Sequence, residues 1–430
     1  MAFNEKPKIA VIGLGYVGLP LAIALARHFS VIGFDINERR INELKNGNDC
    51  TREIEDLTLK TTTMQFSYAP ESLAKQDVYI VTVPTPVTKD NLPDLLPLQK
   101  ASETIGRYLS KNAIVVYEST VFPGITEDFC GPILERASNL KAGKDFYLGY
   151  SPERINPGDK AHTIDRITKV VAGQTPEIAE KLRMIYGAIN ENNIFVAENI
   201  KTAEAAKVIE NAQRDINIAF VNEITTIVGK LGLSIYDVLA AAKTKWNFLN
   251  FQPGLVGGHC IGVDPYYLAQ CARNVQHEPE VILSGRRTNE NMGNYVANTV
   301  HEKLQKIKLT PSNSRILVLG LTFKEDIPDL RNTKVIDVIE KLKSFGYTVD
   351  VHDPEADPKD ARMHFEIDLL TSFDHIGDYD CIIGAVSHKP YLNLAPINFQ
   401  KLLKTGGLIA DIKNMWRNLS FPDGTLYWTL

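Results

Sequence analysis

Short apolar runs alternate with helical patterns along the first third of the chain. KIAVIG, SVIGFD, VYIVTVP, AIVVYEST and DFYLGYS, between residues 8 and 150, are β-rich and almost continuously apolar, as strands buried on both faces of a parallel sheet must be. That alternation predicts a doubly wound α/β domain. From Lys201 to Leu231 the period changes. There is no proline and one interior glycine, Gly229, and apolar residues at Ala203, Ala206, Val208, Ala212, Ile216, Ala219, Phe220 and Ile227 fall in helical spacing. A helix of about 30 residues spans roughly 45 Å, which suits a spine between domains and a face for a second subunit. Helical pattern continues to about Lys306. The final third returns to the first theme with RILVLG, a polar loop to Asn332, a helix to about Phe345, then YTVDVHD, CIIGAV and GGLIADI. The predicted architecture is α/β: two Rossmann-like doubly wound domains, 1–200 and 307–430, joined by a long central helix and helical domain, 201–306. No short-period repeat or low-complexity segment interrupts it.

Composition narrows the function classes. The 430 residues are 44% hydrophobic and 23% charged, with 47 Lys plus Arg against 52 Asp plus Glu, a formal net charge of -5. No basic block of the nucleic-acid or membrane-surface kind is present. Cys50, Cys130, Cys260, Cys271 and Cys381 are scattered, with no CxxC pair and no zinc spacing, and neither an HExxH string nor a carboxylate cluster points to a metal. Reduced thiols in a cytoplasmic protein are expected, all but Cys260 being small buried hydrophobes. The uncharged segment Ile9–Ala26 is long enough for a membrane span, but Gly13, Gly15, Gly18 and Pro20 would break such a helix within two turns. A strand, a tight turn and a soluble helix use the same residues without strain.

Three groups of residues carry candidate chemistry. In GLGYVG, the glycines Gly13, Gly15 and Gly18 bracket Tyr16 and Val17 between a strand and a helix, where free N–H groups and the helix dipole favour a pyrophosphate. Asp35 ends the next strand about 20 residues on, the position from which a carboxylate accepts ribose hydroxyls and repels a 2′-phosphate. NAD is therefore expected over NADP, although Arg39 and Arg40 follow closely and would tolerate a phosphate. Pro84, Pro86, Pro93 and Pro97 mark a loop leaving the sheet on the ligand side. Farther on, PGLVGGHCIGVDPYYL surrounds Cys260 with Gly254, Gly257, Gly258 and Gly262; Asp264, before Pro265, is placed to cap a helix, to act in the site, or both. His259 adjoins the cysteine, but neighbours in an extended loop point apart, which favours a substrate contact or a structural histidine over a Cys/His pair. Lys207 and Asn211 share a face of the long helix. Spacing alone would leave Lys207 solvated, with Glu204 and Glu210 making ordinary helical ion pairs.

GLGYVGLP, VPTP (Val83–Pro86), ESTVFPG (Glu118–Gly124), SPERINPG (Ser151–Gly158), AKVIEN, GGHCIGVDP and TFKEDIPDLRNT (Thr322–Thr333), in that order, resemble the UDP-glucose/GDP-mannose dehydrogenase family from end to end. Members oxidise a nucleotide sugar's primary alcohol to a carboxylate with two NAD. The resemblance implies that Cys260 is the nucleophile, that Lys207 and Asn211 stabilise the oxyanion, and that Glu153 acts as base or orients water held by Thr120 and Asp264. Gly13, Gly15, Tyr16, Val17, Gly18, Asp35, Arg40, Pro84, Thr85, Ser119 and Thr120 would meet NAD. Glu153, Arg154, Lys207, Asn211, Gly257, Phe323, Lys324 and Arg331 would meet substrate, the two cations offsetting the UDP charge. Val263 stands where UDP-glucose members usually carry a lysine. With SPERINPG, this looks like the N-acetylhexosamine branch, UDP-N-acetylglucosamine favoured over the galacto epimer, serving capsule or O-antigen synthesis as a cytoplasmic homodimer. Trp246, Phe248 and Phe251 would then pack an acetamido methyl or, as aromatic side chains commonly do, anchor their loop in a core. A two-electron hydroxyacid dehydrogenase and an inactive NAD-binding scaffold are the competing readings.

Overall fold

The computed structural model describes residues 6–154, 163–258, 261–372 and 377–430. The chain folds as two compact units, one of Met1–Asn211 with Tyr266–Glu278, the other of Ala212–Pro265 with Pro279–Leu430.

The first unit is built on an eight-stranded sheet of β1 (Lys8–Ile12), β2 (Ser30–Phe34), β3 (Gln65–Ser67), β4 (Val78–Val81), β5 (Ile114–Tyr117), β6 (Tyr147–Tyr150), β7 (Lys169–Gly173) and β8 (Ile194–Val196). The order is β3-β2-β1-β4-β5-β6-β7-β8, parallel except where β6 meets β7. Register follows the apolar runs, Ile9 opposite Val31 and Val78, and β4 and β5 are buried at every residue. The uncharged segment Ile9–Ala26 resolves into β1, a glycine turn and α1 (Gly18–Ala26), all of whose residues except Pro20 are buried. Among the described residues no helix is long and apolar enough to cross a membrane.

That turn depends on two backbone approaches. Gly13 adopts φ +95°, which L side chains rarely tolerate. At Gly18 a Cβ would stand 1.9 Å from the Gly13 carbonyl oxygen and 2.3 Å from Thr82 Oγ1, the hydroxyl that donates to that carbonyl at 2.7 Å. α1 can start this close to β1 only with glycine there.

The second unit holds a parallel sheet of β9 (Arg315–Leu319), β10 (Thr348–His352), β11 (Tyr379–Gly384), β12 (Leu403–Asp411) and β13 (Leu426–Thr429), in the order β10-β9-β11-β12-β13. The two-residue side-chain period divides it cleanly. Ile316, Val318, Cys381 and Ile383 enter one core, and Leu317, Leu319, Ile382 and Ile409 enter another with Phe399 and Trp416. The long helix predicted from Lys201 to Leu231 is Ile200–Lys230, which we label α3 after α2 (Pro176–Gly187), and it runs from the first unit into the second. α4 (Asp264–Asn274), α5 (Glu280–Lys306) and α6 (Val335–Phe345) follow.

Three expectations about side chains change. Trp246 is 91% exposed, so it does not anchor its loop in a core, whereas Phe248 and Phe251 pack on Val221, Val228, Ile235 and Leu239 as loop anchors. Cys50 lies at the surface and Cys271 is half-buried; of the cysteines read as small core hydrophobes, only Cys130 and Cys381 are buried. Val263, by contrast, is buried, as an apolar residue at that place should be.

Replacing Gly18 by alanine forces the turn or α1 to move. Overpacking costs about 1–3 kcal/mol or more, and a domain of this size shifts by about 2–4 °C per kcal/mol. A thermal melt of Gly18→Ala should fall at least about 2 °C below wild type; an unchanged melt would show that the turn relaxes freely.

Candidate active site

The glycine turn has the shape a dinucleotide needs. Around Gly15 an added Cβ would meet nothing within 4 Å, so the open side of the turn faces solvent, while Gly18 closes the packed side. Asp35 is fixed at the end of β2 because its oxygens accept from Leu14 N at 2.8 Å and Asn37 N at 2.9 Å. The remaining lone pairs suit ribose hydroxyls. The residues present therefore fit NAD: the turn Gly13–Gly18 would take the pyrophosphate and Asp35 the adenosine ribose. Arg40 is placed differently from a phosphate ligand. It is buried, donates from Nε to the Leu14 carbonyl at 3.0 Å and pairs with Asp49 at 2.7 Å, so it braces the turn from behind. Arg39 is exposed and paired with Glu43.

The proline loop is tied to the end of β5. Ser119 Oγ donates to the Val83 carbonyl at 2.6 Å, and the Tyr150 hydroxyl holds the Ser119 carbonyl at 3.3 Å. Pro84, Thr85, Ser119 and Thr120 thus stand on one braced rim at the C-terminal ends of β4 and β5, the side where open parallel sheets bind ligands.

The buried face of α3 organises the rest of this unit. Glu204, fully buried, does not pair with Lys207. Its oxygens accept from Gly124 N at 2.6 Å and Thr126 N at 2.9 Å, clamping the ESTVFPG loop to the helix. Burial pushes its carboxyl up to about 7 despite those bonds. Glu210 reaches Arg154 at 2.7 Å and so fixes the SPER segment to the same helix. Between these anchors Lys207 and Asn211 are each only 7% exposed, and Lys207 makes no ion pair among the described residues. The solvated-lysine reading is excluded. An ammonium and an amide one turn apart, sheltered from water and not neutralised by a neighbour, are placed to receive negative charge.

Glu153 belongs to a cluster that no sequence pattern announced. It is 7% exposed; Oε1 accepts from the Arg154 amide at 2.6 Å and Oε2 from Lys169 Nζ at 3.3 Å. Lys169, fully buried at the start of β7, also contacts Glu118 at 2.5 Å, and Glu118 accepts from the Tyr186 hydroxyl on α2 at 2.5 Å. A lone lysine opening a strand carries no local signal of burial; only the pairing of β6 with β7 places it between two carboxylates.

In the second unit the cysteine loop is pinned on both sides. Asn222, on α3, exchanges two hydrogen bonds with the backbone of Gly254, at 2.9 and 3.0 Å, and itself donates to Asn289. Gly258 (φ +85°) bonds reciprocally with Asn332, and a Cβ there would strike the Phe323 ring at 2.8 Å. At Gly257 a Cβ would stand 2.6 Å from the Asn332 carbonyl oxygen. The loop is glycine-rich because its backbone lies directly on the TFKEDIPDLRNT segment. Cys260 and His259 fall outside the described residues. Asp264 is buried and opens α4, with Pro265 next.

Asp353 holds that segment in turn, accepting from the amides of Leu321 (2.6 Å), Thr322 (2.9 Å), Glu355 and Ala356 and from His388 Nε2. His388 Nδ1 accepts from the Asp326 amide at 2.9 Å, which makes the ring the Nε2–H tautomer. Phe323 and Lys324 lie on this braced loop half-buried; Arg331, with about half its side chain in solvent, forks onto Asp329 at 2.6 Å.

A dinucleotide turn in one unit and a second nucleotide-type sheet in the other define a nucleotide-linked dehydrogenase. The chain matches the NAD binding, central and UDP binding domains of the UDP-glucose/GDP-mannose dehydrogenase family over residues 7–190, 201–291 and 317–418. It belongs to that family and is an NAD-dependent nucleotide-sugar dehydrogenase. It is 53% identical to protein CapL of Staphylococcus aureus over 95% of this chain and 96% of that protein. It is also 49% identical to a UDP-N-acetyl-D-glucosamine 6-dehydrogenase of Pseudomonas aeruginosa over 94% and 96%. The UDP-D-ManNAc dehydrogenase structure from Pyrococcus horikoshii superposes with a TM-score of 0.89 at 30% identity, covering 98% of each chain.

Because the Glu204 carboxyl rises from 4.5 to about 7 on folding, the folded state holds a proton that the unfolded state has released. The associated stability is complete below the unfolded carboxyl range and is lost as pH rises to about 7. Glu204→Gln removes this dependence and turns one acceptor oxygen away from an amide donor. Melting followed near pH 5 and near pH 8 should therefore show a smaller pH difference in Glu204→Gln than in wild type; equal differences would mean that Glu204 folds already ionised.

Proposed function

We propose that the enzyme oxidises the 6-hydroxymethyl group of UDP-N-acetylglucosamine to the carboxylate in two successive two-electron steps. The observation that carries the reading is the sheltered Lys207–Asn211 face of α3, which has the charge and hydrogen-bonding capacity for an oxyanion at the reacting carbon. Relatives at 49% and 47% identity are UDP-N-acetyl-D-glucosamine 6-dehydrogenases, which favours the N-acetylglucosamine assignment, and the buried Val263 fits it.

In this reading Glu153 takes the alcohol proton or aligns water, Thr120 and Asp264 hold that water, and Lys207 and Asn211 balance the developing charge. Cys260 Sγ adds to the aldehyde carbon to give a thiohemiacetal, whose oxidation leaves a thioester; water then releases the acid and regenerates the thiol. NAD, which the Gly13–Gly18 turn and Asp35 would hold, would when bound accept the hydride of each oxidation. Gly257, Phe323, Lys324, Arg331 and Arg154 hold the UDP-sugar. The UDP-uronic acid formed is a donor for acidic capsule or O-antigen polysaccharide, and exposed Phe220 and Ile227 on α3, with Leu231 and Leu233 just beyond it, support a homodimer.

A panel of UDP-sugars assayed for NADH tests this directly. UDP-N-acetylglucosamine should yield two NADH per sugar, and UDP-glucose should react about a hundredfold more slowly, the cost of an unfilled acetamido pocket and its unpaired amide partner. Comparable efficiency with UDP-glucose defeats the N-acetyl assignment, and a preference for the galacto sugar defeats the epimer. Cys260→Ser should stop acid formation while leaving NAD and sugar binding intact; wild-type output from that variant would remove the covalent route. Asp35→Ala should narrow the preference for NAD over NADP, and an unaltered ratio would transfer that selection to other residues.

A further inference from the structure

Among the described residues Lys169 is the most deeply buried cation of the first unit, and it reaches the candidate site through Glu153 and Glu118. An ammonium taken wholly out of water costs several kcal/mol unless it is closely paired, so the groups around it are chosen narrowly. Three titratable groups face it: Glu118 from the end of β5, Glu153 from the end of β6, and Tyr186 from α2, whose ring centroid is 5.4 Å from Nζ. One cation thus serves two carboxylates, and the service is unequal. Glu118 receives the short contact, 2.5 Å, and a second donor, the Tyr186 hydroxyl, at 2.5 Å; Glu153 receives the 3.3 Å contact.

We propose that Lys169 and Glu118 are positioning residues for Glu153, Lys169 aiming its carboxylate and Glu118 setting how much of the Lys169 charge reaches it. The proposal rests on the reading of Glu153 as the group that takes a proton or aligns water. With Glu118 ionised, the ammonium is largely neutralised: it orients Glu153 without locking it in the charged form. With Glu118 protonated, the same ammonium holds Glu153 as the carboxylate. The second condition is accessible because burial, with Glu153 adding to it, lifts the Glu118 carboxyl to about 7, against the pull of Lys169 and the Tyr186 hydroxyl. A tie that served only to join β5, β6 and β7 would need no carboxylate poised near neutrality.

The two partners therefore act on Glu153 with opposite sign, and a pH profile reads that sign. The experiment measures kcat/KM across about pH 5.5 to about pH 9.5 at saturating NAD, with the UDP-sugar the panel selects, in wild type, Lys169→Met, Glu118→Gln and the double variant. Lys169→Met should move the acidic limb up by about one pH unit or more, Glu118→Gln should move it down by a similar amount, and the double variant should return it toward wild type. KM for NAD should change less than about threefold, as expected of groups acting at one carboxylate. Limbs that coincide with wild type, or that move in the same direction in both single variants, overturn the proposal. Should Lys169→Met not fold, the near-isosteric Glu118→Gln decides alone by the direction of its shift. Glu153→Gln separates the two levels. It should erase the acidic limb; a limb retained there refutes the role of Glu153 itself, whereas a limb erased there but unmoved by Lys169 and Glu118 refutes only the positioning pair.

Discussion

A buried carboxylate on a long helix must find donors, and in this protein the donors available to Glu204 are the amides of Gly124 and Thr126. The first unit's chemistry depends on that bond pair. Residue 204 lies one turn before Lys207 and two before Asn211, so satisfying Glu204 fixes both the depth and the rotation of the helix face that offers the ammonium. It also fixes the loop that begins at Glu118 and carries Ser119 and Thr120. Glu210 does the same for Arg154 from farther along α3. Candidate site side chains that come from separate elements need such anchors, because displacements of an ångström are costly in catalysis.

The two sheets show how one turn geometry serves different ends. Gly13 and Gly320 have φ of +95° and +100°, each is followed by leucine, and in each case that leucine's amide donates to an aspartate closing the next strand, Asp35 or Asp353. After that they diverge. Asp35 keeps acceptor capacity, and Gly15 leaves the turn open. Asp353 accepts from four amides and His388, and Thr322 occupies the place of Gly15. Its acceptor capacity is spent on the protein, so the second sheet cannot hold a dinucleotide ribose as the first does, and its loop is braced to present Phe323 and Lys324 instead.

Much of the fold was legible in the chain. Continuous apolar runs identified β1, β2, β4, β5 and β6, and a proline-free helical period located α3 to within a residue at each end, because both signals come from the backbone's own periodicity. The glycine turn was equally legible, since only glycine satisfies its φ and its close approach. The candidate site was legible only in part. Lys207 and Asn211 could be placed on one face, but whether that face met water or protein could not be read from spacing. Arg40 sat near a phosphate position in sequence and turned out to brace the turn; Trp246 could be read as a core anchor and lies in solvent.

The sequence by itself determined nine of the thirteen described strands, the long helix, the nucleotide turn with Asp35, and the family, because each is written in local period, steric necessity or ordered motifs. The tertiary structure alone decided which polar side chains are buried and what each one meets. Glu118, Lys169, Glu153 and Tyr186 lie far apart in the chain and carry no mutual pattern. They meet because parallel and antiparallel pairing brings the ends of β5 and β6 and the start of β7 together beneath α2, and the energy of a buried charge is set by such neighbours rather than by its place in the sequence.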